Sequence, residues 1–349
     1  MRSLLSRTLL LAVALSAVGG AILVAQATKT SSQKMTDAAT KLVGTLTAEQ
    51  KKQAIFDYDD DHRTTWFFTP VQDKDKQSLR KGLRMDRLTA NQKPLMLDLL
   101  KLGLSAKGYE QATGIMGLEA LLAELDGPTG AMTRNPTWYF VSIFGEPSNT
   151  GKWGFRVEGH HLSVNFTFDK GEVVSATPMV FGVNPAEIKA GPKKGQRTVP
   201  EVEDLAKELI ASLTEAQKKV ASQAKQLDEI KEKQPDAAVG DPIGLPAQEL
   251  AADQKKVLRK LIEAYAERLP DDLAASEMKK VDAGDFAKVH FAYCAEVKKD
   301  GSKPYTYRVQ GPSFVIEFLN VQADAAKNPA NHIHSGWRSL PRDFALGGK

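Results

Sequence analysis

Four of the six histidines lie in two short motifs, Glu158-Gly159-His160-His161 and Asn331-His332-Ile333-His334-Ser335-Gly336-Trp337-Arg338. In an extended segment residues i and i+2 project to one face, so His332 and His334 present two imidazoles side by side. Neutral imidazole is the commonest protein ligand for divalent transition metals. His160 or His161 supplies a third ligand in this reading. Neighbours in a regular strand point to opposite faces, so one of that pair ligates and the other supports it or faces solvent. Imidazole suits zinc, copper and iron alike, which leaves the metal open. A polar strand edge is the plainer reading of the same His-x-His pattern.

Glu317 is the strongest single candidate outside the histidines. It interrupts the apolar run Phe314-Val315-Ile316-Glu317-Phe318-Leu319, and a carboxylate is costly to bury unless it is paired or ligates something. It reads as a fourth ligand or as a base that activates a metal-bound water. A structural ion pair with Arg156, Arg308 or Arg338 is the competing reading. Those three arginines, with Glu158, Asn165 and Trp337, complete the candidate set as substrate contacts or supports of the ligands. The acidic run Asp57-Tyr58-Asp59-Asp60-Asp61-His62-Arg63 lacks the glycine and glutamate of a calcium loop and reads as a solvated helix end. Gly-x-Gly-x-x-Gly, Walker A, Gly-x-Ser-x-Gly and His-Glu-x-x-His motifs are absent. The lone Cys294 sits in a strand-like stretch and reads as a buried small hydrophobe.

The elements that must position these residues repeat. Leu46-Thr47-Ala48-Glu49-Gln50-Lys51-Lys52 recurs as Leu213-Thr214-Glu215-Ala216-Gln217-Lys218-Lys219. Phe155-Arg156-Val157-Glu158-Gly159 recurs as Tyr307-Arg308-Val309-Gln310-Gly311. Helical segments precede strands in both halves, which points to an internal duplication. At the strand offset Asn165 aligns with Glu317, so His161, Asn165 and Glu317 are expected to face one shared cleft. His161 to Phe168 alternates polar and apolar positions, the mark of a strand with one buried face. Glu201 to Lys233 carries a helical composition without Gly or Pro and reads as one long helix. Gln248 to Arg268, Lys93 to Leu104 and Tyr109 to Leu125 read as further helices. The expected fold is α+β: two tandem, duplicated units of helices followed by antiparallel strands, packed about a pseudo-two-fold axis. The boundaries are 28–188 and 201–349, with the Lys-, Gly- and Pro-rich stretch 189–200 as linker.

Residues 1–27 carry Arg2 and Arg7, an uncharged apolar run and Ala25-Gln26-Ala27, the pattern of a cleaved signal peptide. The expected location is secreted or periplasmic. An uncleaved anchor is the alternative, although the run falls short of the roughly 20 residues a span needs. The 349 residues hold 47 basic and 43 acidic side chains. That balance argues against nucleic acid as partner. One cysteine excludes a disulfide framework. Beyond a small-molecule ligand the sequence indicates no partner, and it leaves the oligomeric state open.

These pieces together resemble the family catalogued as domain of unknown function 3500. The motifs that carry the resemblance are Arg63-x-x-Trp66, Leu104-Ser105-x-x-Gly108-Tyr109, Phe144-Gly145-x-Pro147-Ser148, Trp153 through Ser163, Gly311-Pro312-x-Phe314-x-Ile316-Glu317 and Asn331-His332-Ile333-His334-x-x-Trp337-Arg338. They span roughly residues 38 to 345. The resemblance implies that the Gly-His-His, Ile-Glu and His-Ile-His elements form one pattern; it implies no reaction. Where an acid is expected soon after Trp337-Arg338, only Asp343 is near. The leading expectation is an exported metal-dependent enzyme, hydrolytic by default and otherwise oxidative. The alternatives are a small-ligand-binding module, with Trp66, Trp153 or Trp337 in its pocket, and a structural envelope protein whose histidines scatter over the surface.

Overall fold

Polar and apolar residues alternate along Leu162–Asp169, yet both sets are buried. The reason is a covering layer on each face of one sheet. The computed structural model describes residues 29–346; the expected signal segment lies outside them. In chain order the elements are α1 (Ser31–Thr45), α2 (Ala48–Ala54), β1 (Ile55–Phe56), β2 (Leu83–Arg84), α3 (Gln92–Gly103), α4 (Ala106–Asp126), β3 (Phe140–Phe144), β4 (Lys152–Gly159), β5 (Leu162–Asp169), β6 (Glu172–Ser175) and β7 (Met179–Phe181). They continue with α5 (Pro200–Ser212), α6 (Glu215–Ala221), β8 (Leu245–Pro246), α7 (Ala252–Ala266), α8 (Asp271–Ala283), β9 (His290–Ala295), β10 (Tyr305–Gln310), β11 (Phe314–Gln322) and β12 (His332–Ser339). The fold is mixed α+β, as expected.

The strands form a single 12-stranded sheet in the order β1-β3-β4-β5-β7-β12-β11-β10-β9-β8, with β2 on β3 and β6 on β5. All pairings are antiparallel except β1 with β3. The seam between the halves is the short β7–β12 pairing, Val180 to Gly336 and Met179 to Trp337. Helices cover the apolar face. Gly103 of α3 closes on the Phe166 ring, and the Tyr265 hydroxyl of α7 meets those of Tyr307 and Ser335. Burying this face supplies the main hydrophobic drive.

The opposite face carries Arg156, Glu158, Asn165, Arg308, Glu317, His334 and Arg338, which the strand registers place on one side. Two irregular segments, 57–82 and 222–244, lie across it. They are tied to the sheet by bonds such as Phe67 N–H to Glu158, Leu227 N–H to Thr306 and Arg308 to the Val239 carbonyl. A small second core of Trp66, Phe68, Val180, Ile230, Leu319 and Phe344 fastens them.

The long helix expected over Glu201 to Lys233 is two short helices and an irregular segment. α5 ends at Ser212, and Thr214 caps α6 by accepting from Gln217 N–H while the Gln217 side chain returns to the cap. This capping box competes with helix continuation. Thr47 and Gln50 build the same cap on α2. Gln50 and Gln92 then pair amide to amide, and so do Gln217 and Gln254.

Candidate metal centre

His161 belongs to a two-residue turn rather than a strand. Gly159 pairs with Leu162, so His160 and His161 form the turn between β4 and β5. His161 has φ of +63°, a region uncommon for non-glycine residues. Its backbone is held there from both sides: its N–H donates to the Phe68 carbonyl at 2.7 Å, and its carbonyl accepts from Gly182 N–H at 2.7 Å. A Cβ on Gly182 would stand 3.0 Å from the His161 ring and 3.0 Å from the Ile333 carbonyl, so one of them would have to shift by a few tenths of an ångström. His332 and His334 lie on β12, and Ile333 between them enters the main core. The i, i+2 geometry read from the sequence therefore holds. A register shift between Asn320 and Gln322 on β11 lies opposite this stretch, and the Asn320 side chain accepts from His332 N–H. Such bulges re-aim side chains near a strand end.

The three imidazoles converge. His332 Nε2 lies 2.8 Å from His161 Nε2 and 3.1 Å from His334 Nε2. One ligand atom from each of the three lies within 4.8 Å of the others. His334 Nδ1 meets the Glu229 carboxylate at 2.8 Å. A carboxylate oxygen accepts there from Nδ1–H, which leaves Nε2 as the ring nitrogen turned to the other two imidazoles. A cation at the centre would face the three Nε2 atoms. Tetrahedral zinc at ~2.0–2.1 Å from each nitrogen sets ligand nitrogens about 3.3 Å apart, close to the two contacts His332 makes and inside the 4.8 Å span of the set. Burial pushes the His161 ring well below its ordinary pKa, and the neighbouring imidazoles add to the effect. The same causes take His332 to about 2, against a hydrogen bond to the Ala323 backbone. Both rings are thus neutral near pH 7, the form that binds metal. The three buried histidines could hold a divalent transition metal.

The other candidates occupy distinct places. His160 lies outside the convergent set. It stacks on His161 with centroids 3.7 Å apart, and its Nδ1 contacts Glu119 and lies 3.2 Å from Arg134. Because the pair sits in a turn, both rings face the interior, which the regular-strand argument excluded. Asn165 bonds to the Pro178 carbonyl and Ser163. It shares a face with Glu317, but the two have different partners and line no common cleft with His161. Arg156 pairs with Glu158 at 3.2 Å and touches the His62 ring nitrogens at 2.9 and 3.0 Å. Burial and that guanidinium lower the His62 pKa to about 3, so the acidic run's histidine is an interior residue. Arg338 is fully buried and bonds to Asp343 at 2.6 Å and to the Lys231 and Gln234 carbonyls. Asp343 thus fills the place of the expected tail acid as a brace for Arg338. Trp337 points to the helical side against Phe314, where it lines a small pocket with Tyr265 and Leu269, and Trp66 and Trp153 are core residues, so none of the three stands beside the imidazoles.

Glu317 has Arg308 as its partner at 3.5 Å and no bond to an imidazole. Burial raises its pKa to about 7, against the pull of Arg308 and Arg338. Glu229, Gly182 and Glu119 went unread in the sequence. Gly182 lies in a stretch without periodicity, Glu229 falls within the run read as one long helix and Glu119 lies inside a helix, so only the tertiary fold gives them roles.

A family model described as protein of unknown function (DUF3500) matches residues 28–346. No curated protein and no solved structure matches the chain. Among the described residues no helix is long and apolar enough to cross a membrane.

Proposed function

We propose, on the premise that the chain belongs to the family of proteins of unknown function DUF3500, that it is an exported metal-dependent enzyme. His161, His332 and His334 hold the metal, and hydrolysis of a small-molecule substrate is the default reaction. The observation that carries the reading is the convergence of three imidazoles, with His161 and His332 held neutral by burial. Three protein ligands leave a further position for water or substrate, the pattern of catalytic rather than structural zinc sites. A bound divalent ion supplies Lewis acidity and a water of lowered pKa. The chain's own residues do the positioning. Glu229 fixes the His334 tautomer, and His160 with Glu119 packs the His161 ring from behind. Glu317 pairs with Arg308 in the neighbouring cavity and is not one of the ligands in this reading. An envelope protein without a site gives no reason to bury and converge these rings.

Export rests on the pattern of residues 1–27. Internal duplication is part of the same proposal: the sheet order mirrors outward from the β7–β12 seam, and the α2 and α6 caps share their glutamine pairs.

Elemental analysis of protein purified without chelator tests the metal. Near-stoichiometric zinc, copper or iron is expected, and its loss in a folded His332→Ala, His334→Ala variant. A wild type that stays metal-free after reconstitution would overturn the reading.

A further inference from the structure

A separate cavity of about 330 Å³ lies under the segment 222–244, on the Nδ1 side of His334. Its floor is the β10–β11 pair Arg308 and Glu317, side chains only 9% and 6% exposed. Three buried polar atoms of its lining residues have no protein partner: Arg308 Nε, Glu317 Oε2 and Gln226 Oε1. Leaving such atoms unsatisfied costs about 1–3 kcal/mol each, so their placement around one space points to something that fills it. The volume falls at the small end of ordinary ligand pockets.

The chemistry of the wall narrows the occupant. The unpartnered set is one donor and two acceptors. A hydroxyl group both donates and accepts, so neighbouring hydroxyls satisfy the three atoms together. The charged lining residues are Lys225, Lys231 and Arg308 against Asp228, Glu229 and Glu317, three of each sign. A net anion or cation gains nothing from that balance and loses its hydration on entry. The apolar lining is small, as in Ala237 and Val239, and offers no aromatic platform.

We infer that this cavity binds a neutral, polyhydroxylated small molecule of monosaccharide size, held by Arg308, Glu317 and Gln226. The site is distinct from the imidazole centre and touches it through Glu229 alone, so it stands whether or not a metal binds.

Ligand-observed NMR titrations test this with glucose, galactose, mannose and myo-inositol as neutral probes. Glucuronate and glucosamine are the charged probes of the same size. Saturable binding of at least one neutral probe is expected, about tenfold tighter than either charged probe. Gln226→Ala and Glu317→Ala should each weaken it about tenfold, the loss of one buried bond. Gln226 is only half-buried in the covering segment, so its variant carries the test if Glu317→Ala does not fold. The His332→Ala, His334→Ala variant should bind the probe as wild type does, which separates this site from the metal reading. No saturable neutral probe, equal or tighter binding of a charged one, binding unchanged in both cavity variants, or loss in the histidine variant would each overturn the inference.

Discussion

A proton on His334 Nδ1 is what frees its Nε2 for a metal, and Glu229 keeps the proton there. Glu229 is 40% exposed at its side chain, so its removal should spare the fold. Glu229→Ala is expected to lower metal affinity about 10–100-fold, the usual effect of losing a ligand's support, in a competition titration against a chromophoric chelator. Gly182→Ala acts from the other side. Its Cβ would press on the His161 ring and on the Ile333 carbonyl, and that variant should lose metal while keeping most of its helical circular dichroism. Glu317 predicts a pH effect. Its folded pKa of about 7 lies above the ordinary 4.5, so the folded chain holds more protons between these values. Stability is then fully present below about pH 4.5 and falls as pH rises through 7. At about 1.4 kcal/mol per unit, the component amounts to roughly 3 kcal/mol. Urea titrations at pH 5 and pH 8 should show Glu317→Gln losing less stability over that interval than wild type.

At the scale of elements, the two capping boxes are equivalent and far apart in the chain. Thr47→Ala and Thr214→Ala should each cost about 1 kcal/mol, and the double variant should show the sum, as distant sites do. The pattern Thr-x-x-Gln was present in the sequence at both places; the unbroken helical composition after Thr214 masked it. Composition registers which residues tolerate a helix and says little about a cap that competes with one. Strands were more legible. Period-two alternation gave β5, and the His-x-His spacing gave the shared face of His332 and His334, because both depend only on local geometry. The choice of His161 over His160 depended on a turn and a positive φ held by Phe68 and Gly182. Those contacts come from residues distant in sequence, so no local pattern carries them. The burial of the polar face was equally hidden, since it requires the segments 57–82 and 222–244 to lie across it.

For the whole molecule, the imidazole centre straddles the seam. His161 comes from the strands before β7, while His332 and His334 come from β12. The β7–β12 ladder is short and is continued only by the Val183–Ile333 bridge and the Ala186–Asn331 bond, so a metal would add a fastening between the two halves of the sheet. Ligand bound to the folded state alone stabilises by mass action, about 4 kcal/mol at a thousandfold excess over Kd. Chelation should therefore lower the Tm by several degrees in scanning calorimetry, and the His332→Ala, His334→Ala variant should show no such shift. The β7–β12 seam also orders events in time. The ribosome delivers His161 near the middle of the chain and the other two ligands only in its last stretch. A nascent or truncated chain owns only one of the three converging imidazoles. On the proposed reading, the metal would be chosen after synthesis, from the ions present where the finished chain closes its last strand.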